Sequence, residues 1–366
     1  MRGAALRRNA RRIQEAVGPD VALIPVVKAD AYGLGADRAV AVLEDLDPGG
    51  YAVATVQEGG DLRARGVTRP VFVLAPVPAG AMERAVREGL TLSLSDSEGV
   101  EALRAAAFRA GRTASYHLEI DTGMGRAGLD WRRVDRWKRE VDPGGDGGVR
   151  WAGCFTHFHS ADDPDSASMT LQWERFQDAL RSLAPLPTGD FRIHACNSPA
   201  ALRIPGYGAD AVRPGIFLYG GRPGQGLPLP EPVVALRARI TLIRDRPPGS
   251  TVGYGATYRA RGWERWATIS AGYGDGIPRA LSNRGEVLVR GRRAPVVGRI
   301  SMDMTVVDIT HVPGAAVGDV ATFIGMDEGS AITLEEVAEW ADTINYEVLT
   351  GLSARLPRIW IEEGTG

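Results

Sequence analysis

From Ile24 to Val212, short apolar runs alternate with Ala-, Arg- and Glu-rich stretches of helical length. The predicted strands are Ile24–Lys28, Tyr51–Thr55, Val71–Leu74, Thr91–Leu94, Tyr116–Ile120, Trp151–Thr156, Arg192–Ala195 and Ala211–Val212. Helical stretches such as Ala36–Leu46, Val56–Arg65, Ala81–Glu88, Ser97–Ala110 and Ser168–Leu183 lie between most of them. Strands joined through helices run parallel, because the helix carries the chain back to the same end of the sheet. Eight such units predict an α/β fold of the (β/α)8 TIM barrel type. A doubly wound sheet is the alternative, but Gly33 and Gly35 alone do not make the Gly-rich dinucleotide turn it would need after the first strand.

The Gly- and Pro-rich segment Gly220–Pro232 reads as a linker, and the texture changes after it. Val233–Ile243, Ala267–Ser270, Glu286–Arg290, Ala294–Gly298, Thr305–Ile309 and Asp319–Ile324 are predicted short strands, with one late helix at Thr333–Thr343. The expected organisation is a barrel domain over residues 1–230 and a mostly β C-terminal domain over 231–366. A chain of 366 residues has room for both cores. No internal repeat is visible, and Asp142–Gly148 reads as a short flexible loop. A formal charge of -2 makes no case for nucleic acid or an anionic membrane as partner. No apolar run has the length of a membrane span, and no apolar signal core follows the basic residues between Met1 and Arg12. With only Cys154 and Cys196 there is no disulfide framework, so a reducing cytoplasm is the expected compartment.

The 43 lysines and arginines include only two lysines, Lys28 and Lys138. Where arginine fills nearly every cationic position, a surviving lysine needs a reason. Lys138 lies in the charged helical stretch Trp131–Glu140, and a solvated face explains it. Lys28 ends the run Val21-Ala22-Leu23-Ile24-Pro25-Val26-Val27, where a buried charge is costly. A desolvated lysine can lose its proton and form an imine, and arginine can do neither. Catalysis and a paired structural ion both remain open on this ground alone.

Polar, chemically capable residues gather at other predicted strand ends too, where barrels keep their active sites. Strand five runs into Asp121-Thr122-Gly123-Met124-Gly125-Arg126, strand six into Thr156-His157-Phe158-His159, strand seven into His194-Ala195-Cys196-Asn197-Ser198, and strand eight into Arg213-Pro214-Gly215-Ile216.

The motif Val27-Lys28-Ala29-Asp30-Ala31-Tyr32-Gly33 resembles the cofactor-lysine motif of alanine racemases, pyridoxal phosphate enzymes built from a barrel and a β domain. Asp121–Gly128, Thr156–Phe158, His194–Ser198, Val212–Gly220, Val252–Tyr258, Gly272–Ala280, Gly298–Asp303 and Thr343–Val348 resemble the same family in order. The likeness thus runs along nearly the whole chain. It implies an isomerase that interconverts L-alanine and D-alanine, a cytoplasmic enzyme supplying D-alanine for peptidoglycan. It further implies a pyridoxal 5'-phosphate cofactor, no metal, and a homodimer with shared active sites.

Residue by residue, the resemblance implies that Lys28 carries the cofactor as a Schiff base and serves as one proton-transfer base. Tyr254 is implied as the opposite base, reaching in from the β domain of a second subunit. Racemisation removes a proton from one face of Cα and returns it to the other, so two opposed bases suit it. His157 and Arg213 resemble the contacts supporting that tyrosine, His194 is implied as a further supporting residue, and Arg213 is implied to face the pyridine nitrogen as a donor. Tyr32, Asn197, Ser198, Gly215, Ile216 and Tyr346 resemble cofactor-binding positions, largely around the phosphate; Ser198 could equally cap a helix before Pro199. Arg126 and the backbone N–H of Met302 resemble the grip on the substrate carboxylate, and Tyr273 and Asp303 match residues lining the approach to the site.

Two departures from the family pattern stand out. Where the family often has a lysine, carbamylated in some members, seven residues before Arg126, this chain has Glu119. Alternation puts His117, Glu119 and Asp121 on one strand face, so Glu119 is expected to supply the missing negative charge and orient Arg126. The family also normally opens on a further strand, whereas a helix is predicted here from Ala4. Among rival readings, a metal hydrolase could use His157-Phe158-His159 with Asp162 and Asp163. A lysine-dependent aldolase would not require the β domain, and a two-domain amino-acid decarboxylase would use a cysteine from the second domain, where this chain has none. A non-catalytic single-barrel cofactor-binding protein would lack residues 233–366 altogether.

Overall fold

The computed structural model describes residues 1–141 and 148–361, so most of the predicted loop after Val141 lies outside the described residues. Eight parallel strands form the first sheet: β1 (Ala22–Leu23), β2 (Tyr51–Val53), β3 (Val71–Val73), β4 (Thr91–Leu94), β5 (Ala114–Asp121), β6 (Val149–Phe155), β7 (Arg192–His194) and β8 (Ala211–Val212). Their order is β1-β8-β7-β6-β5-β4-β3-β2, with the short strand Leu129–Asp130 paired to β5. A parallel bridge between Val26 and Ala52 joins the two ends of that order. There the Val27 N–H donates to the Ala52 carbonyl at 2.8 Å and the Ala52 N–H to the Pro25 carbonyl at 2.9 Å. The sheet is thereby closed into a barrel, as the alternation predicts.

The helices are α1 (Gly3–Val17), α2 (Ala36–Leu43), α3 (Val56–Ala64), α4 (Ala79–Arg87), α5 (Ser97–Ala110), α6 (Val134–Val141), α7 (Ala167–Leu183) and α8 (Ser198–Arg203). They cover strands that are themselves buried on both faces; every residue of β2 and β3 is buried, as a helix-covered parallel sheet requires. The first strand, Ala22–Leu23, lies before the predicted Ile24–Lys28, and of that predicted span only Val26 forms a bridge. Pro25 has no N–H to give a ladder, and by Lys28 the chain has already entered a turn.

The second sheet is antiparallel: β9 (Leu236–Arg246), β10 (Glu264–Ile269), β11 (Glu286–Val289), β12 (Arg292–Pro295), β13 (Thr305–Asp308), β14 (Val320–Asp327) and β15 (Ser330–Ile332), in the order β12-β11-β14-β9-β10-β13 with β15 paired to β14. The long strand β9 pairs through Leu236–Arg239 with β14 and from Ile240 onward with β10, across a register shift between Ile240 and Leu242. A bridge between Val296 and Val307 links the two end strands, so this sheet also curls back on itself. Two helices follow, α9 (Leu334–Ala341) and α10 (Asn345–Thr350). The capping box of Thr333 and Glu336 starts α9, and left-handed Asp342 stops it.

Helix α10 brings the C-terminal part of the chain onto the barrel mouth. The Asn345 amide donates to the Arg222 carbonyl at 3.0 Å, and Arg358 donates to the Gly33 carbonyl at 2.8 Å. Gly33 has no side-chain room: a Cβ there would collide with the Leu349 carbonyl.

Candidate active site

The backbone after Val27 does something that L-residues resist. Ala29, Asp30, Ala31 and Tyr32 have φ of 52°, 53°, 54° and 56°, a full turn of left-handed helix. Such a turn costs about 1–2 kcal/mol per residue, and strain of this kind persists where the surroundings enforce it. Here the Ala31 N–H bonds the Val27 carbonyl and the Gly35 N–H the Asp30 carbonyl, both at 2.9 Å. The Asp30 carboxylate accepts from the Ala36 N–H at 2.8 Å. Glu58 accepts from the Ala29 N–H at 2.7 Å and the Ala54 N–H at 2.8 Å, tying the turn to the end of β2.

The turn carries Lys28 and Tyr32 into one cavity of about 380 Å³ at the strand ends. Arg126 enters from beyond β5, His157 from beyond β6, Asn197 and Ser198 from beyond β7, Arg213, Gly215 and Ile216 from beyond β8, and Tyr346 from α10. Ten residues singled out in the sequence therefore share one lining. Val26, Ala29, Leu74 and Thr350 line it as well. The first three carry no chemical signal, but Thr350 stands four residues after Tyr346 on α10, one helical turn away.

One end of the cavity is a cradle of donors. The Ser198 hydroxyl accepts from the Gly215 N–H at 2.8 Å, the rings of Tyr32 and Tyr346 lie 6.0 Å apart, and a Cβ on Gly215 would strike the Tyr32 hydroxyl. The helix cap is Asn197, whose side chain accepts from the Ala200 N–H at 3.1 Å. Ser198 therefore does not cap α8, and its hydroxyl serves the cradle.

Arg213 is buried across the far side. It donates to His194 Nδ1 at 2.5 Å, to the Thr156 and Ala195 carbonyls at 2.8 and 3.1 Å, and to His157 Nδ1 at 3.3 Å. Among the described residues no carboxylate lies within ion-pair distance of it. Burial pulls the guanidinium down to about 10, which still leaves it cationic at neutral pH. Burial, followed by the charge of Arg213, pushes His157 down to about 3, so that imidazole is neutral. Lys28 is lowered from the ordinary lysine range by burial first and then by Arg126 and Arg213, against the opposing pull of Glu58. A lysine so placed presents more of its free amine, the nucleophilic form.

Glu119 is buried in the barrel interior on the face alternation assigns it, together with His117. Its carboxylate accepts from the Ser95 hydroxyl at 3.4 Å. No ion pair with Arg126 forms within 4.0 Å among the described residues, so any hold on Arg126 is through space rather than by direct contact. Burial raises the Glu119 carboxyl above the usual range although Arg126 and Arg213 pull the other way. The two histidines of His157-Phe158-His159 are split: His157 faces Arg213, and His159 Nδ1 lies 2.6 Å from the Ser160 hydroxyl.

Tyr254, Tyr273, Met302 and Asp303 are not in this cavity. Tyr254 is 68%, Met302 53% and Tyr273 40% exposed. The turn holding Tyr254 packs on Arg299, and the Tyr273 N–H donates to the Ser301 carbonyl at 3.0 Å, so these residues lie together on one exposed face, in turns and loops outside the strands of the second sheet. Arg355, which carries no signal in the sequence, braces that face by donating to Asp275 at 2.7 Å and Asp303 at 2.8 Å.

Residues 2–223 match the family described as alanine racemase, N-terminal domain, and residues 233–360 match alanine racemase, C-terminal domain. The alanine racemase of Desulfovibrio desulfuricans is 38% identical over 365 residues, covering 98% of this chain and 96% of the relative. The solved alanine racemase of Streptomyces lavendulae superposes with a TM-score of 0.91 at 34% identity, covering 99% of this chain and 96% of that one. That of Bartonella henselae, described with covalently bound pyridoxal phosphate, gives 0.89 at 30% identity, covering 99% and 98%. A closed barrel, an antiparallel second sheet and a lysine-centred cavity at the barrel mouth agree with those matches over both halves, and the chain belongs to the alanine racemase family.

Proposed function

We propose that this chain interconverts L- and D-alanine with pyridoxal 5'-phosphate as cofactor, each active site being completed by a second copy of the chain. The observation that carries the proposal is the single cavity in which a lysine of lowered pKa meets a hydroxyl and N–H cradle at one end and a carboxylate-free arginine at the other. That donor set fits the cofactor: the cradle suits a phosphate, and the glycine at 215 keeps it open. Arg213 offers the ring nitrogen only donors and does not readily give up its proton. When bound, the cofactor supplies an electron sink for the bond broken at Cα. Lys28 anchors it and moves a proton on one face of Cα; the Tyr254 hydroxyl of the other copy serves the opposite face. Arg126, with the Met302 N–H of that copy, holds the substrate carboxylate. The covalent pyridoxal phosphate of the Bartonella henselae enzyme supports the lysine assignment, and D-alanine for peptidoglycan is the role that follows.

The test is formation of D-alanine from L-alanine by purified protein, read together with imine absorbance after adding cofactor. Racemisation with that band is expected; protein that takes up no cofactor as an imine would sink the proposal. Glu119 acts through space on the two arginines of the site, Arg126 and Arg213. Glu119→Gln is expected to raise KM for alanine about tenfold, the effect of about 1.4 kcal/mol. Unchanged turnover and KM would remove Glu119 from the account.

A further inference from the structure

We infer that His117 is a positioning residue for Arg213, acting through His194. The inference rests on the proposal that Arg213 faces the ligand, and it follows from hydrogen counting. Arginine has donors only, so His194 Nδ1, 2.5 Å from the guanidinium, must accept. A neutral His194 then carries its proton on Nε2. That nitrogen lies 2.8 Å from His117 Nδ1, which must accept in turn. His117 therefore carries its own proton on Nε2, and for two neutral rings no other assignment satisfies both contacts. Both rings are buried, and burial with nearby arginines disfavours a second proton on either.

The packing fixes the line in place. Phe155 stacks on His194 at 5.1 Å, and the same ring lies 5.2 Å beneath the Arg213 guanidinium. Phe72 meets the His117 ring edge-on at 5.0 Å. Gly153 on β6 makes the space: a Cβ there would lie 2.6 Å from Cε1 and 2.7 Å from Nδ1 of His117. His117 gives His194 the one acceptor that keeps its Nδ1 turned to Arg213, and so keeps the guanidinium aimed.

Two substitutions separate this role from packing. His117→Asn retains an acceptor oxygen near the place of Nδ1, whereas His117→Leu fills more of the imidazole's volume with carbon and offers none. The expected result is a fall in kcat of about tenfold for His117→Leu, the scale of losing an outer partner of a site residue, with KM little changed. The absorbance of the bound cofactor should shift with it, and His117→Asn should restore most of both. Equal losses, or a better leucine variant, would overturn the inference. Nitrogen-15 NMR of the unsubstituted protein, which has five histidines, tests it without activity. Both rings should report neutral Nε2–H forms; an Nδ1–H form or an imidazolium at either would overturn it. A parent protein without racemase activity would instead sink the proposed function, leaving the tautomer result to stand by itself.

Discussion

Lys28→Ala is expected to lower racemisation by at least about 10³-fold, because under the proposed function it removes both the covalent anchor and one proton-transfer base. The same variant should show no imine absorbance with the cofactor, which would bind only through the cradle. Lys28→Arg is the sharper control. It keeps a cation at the position, yet arginine forms no imine and does not deprotonate at working pH. If Lys28 served mainly as a charge balancing Glu58 or a bound anion, Lys28→Arg would keep much of the activity. The expected result is a loss as deep as that of alanine. The left-handed turn begins only at Ala29, so neither change asks a new residue to adopt a positive φ. Thermal unfolding measured beside the assay should therefore show both variants folded. An arginine variant with substantial turnover would end the Schiff-base reading.

Lys28 was legible for a compositional reason: a chain that uses arginine almost everywhere had kept lysine at a strand end. The barrel was legible because covered parallel strands must be apolar and their helices must be amphipathic, and both leave periodic marks. The left-handed turn was not. Ala29, Asp30 and Ala31 have no glycine among them, and the groups that enforce the turn, Glu58 and the α10 segment, come from distant parts of the chain. The role of Ser198 was ambiguous for a similar reason, since Asn197 and Ser198 are both good caps and only the bonds to Ala200 and Gly215 separate them. Alternation on β5 gave the face of Glu119 but not its partner, because period two fixes direction and says nothing of distance across a barrel. The same limit hid the His117–His194 contact, which joins β5 to β7 across the interior.

Tyr254→Phe tests the shared site from the other side. Removing one base should cost about 10²–10⁴ in rate. The two alanine enantiomers have equal free energy, so kcat/KM must fall equally in both directions. The asymmetry should appear instead in hydrogen exchange: with Lys28 intact, one enantiomer should still trade its Cα hydrogen with D₂O while the other hardly does. Equal residual exchange from both would refute the two-base assignment. Tyr254 stands exposed on a face that does not line its own chain's cavity, so the base and the lysine of one site should come from different copies. Mixing inactive Lys28→Ala and Tyr254→Phe chains and letting subunits exchange should then restore activity. Half of the dimers would be mixed and each would hold one intact site, giving about a quarter of the parent activity for a two-fold assembly. Were both groups drawn from one chain, no mixture could recover anything, because every site would lack one base.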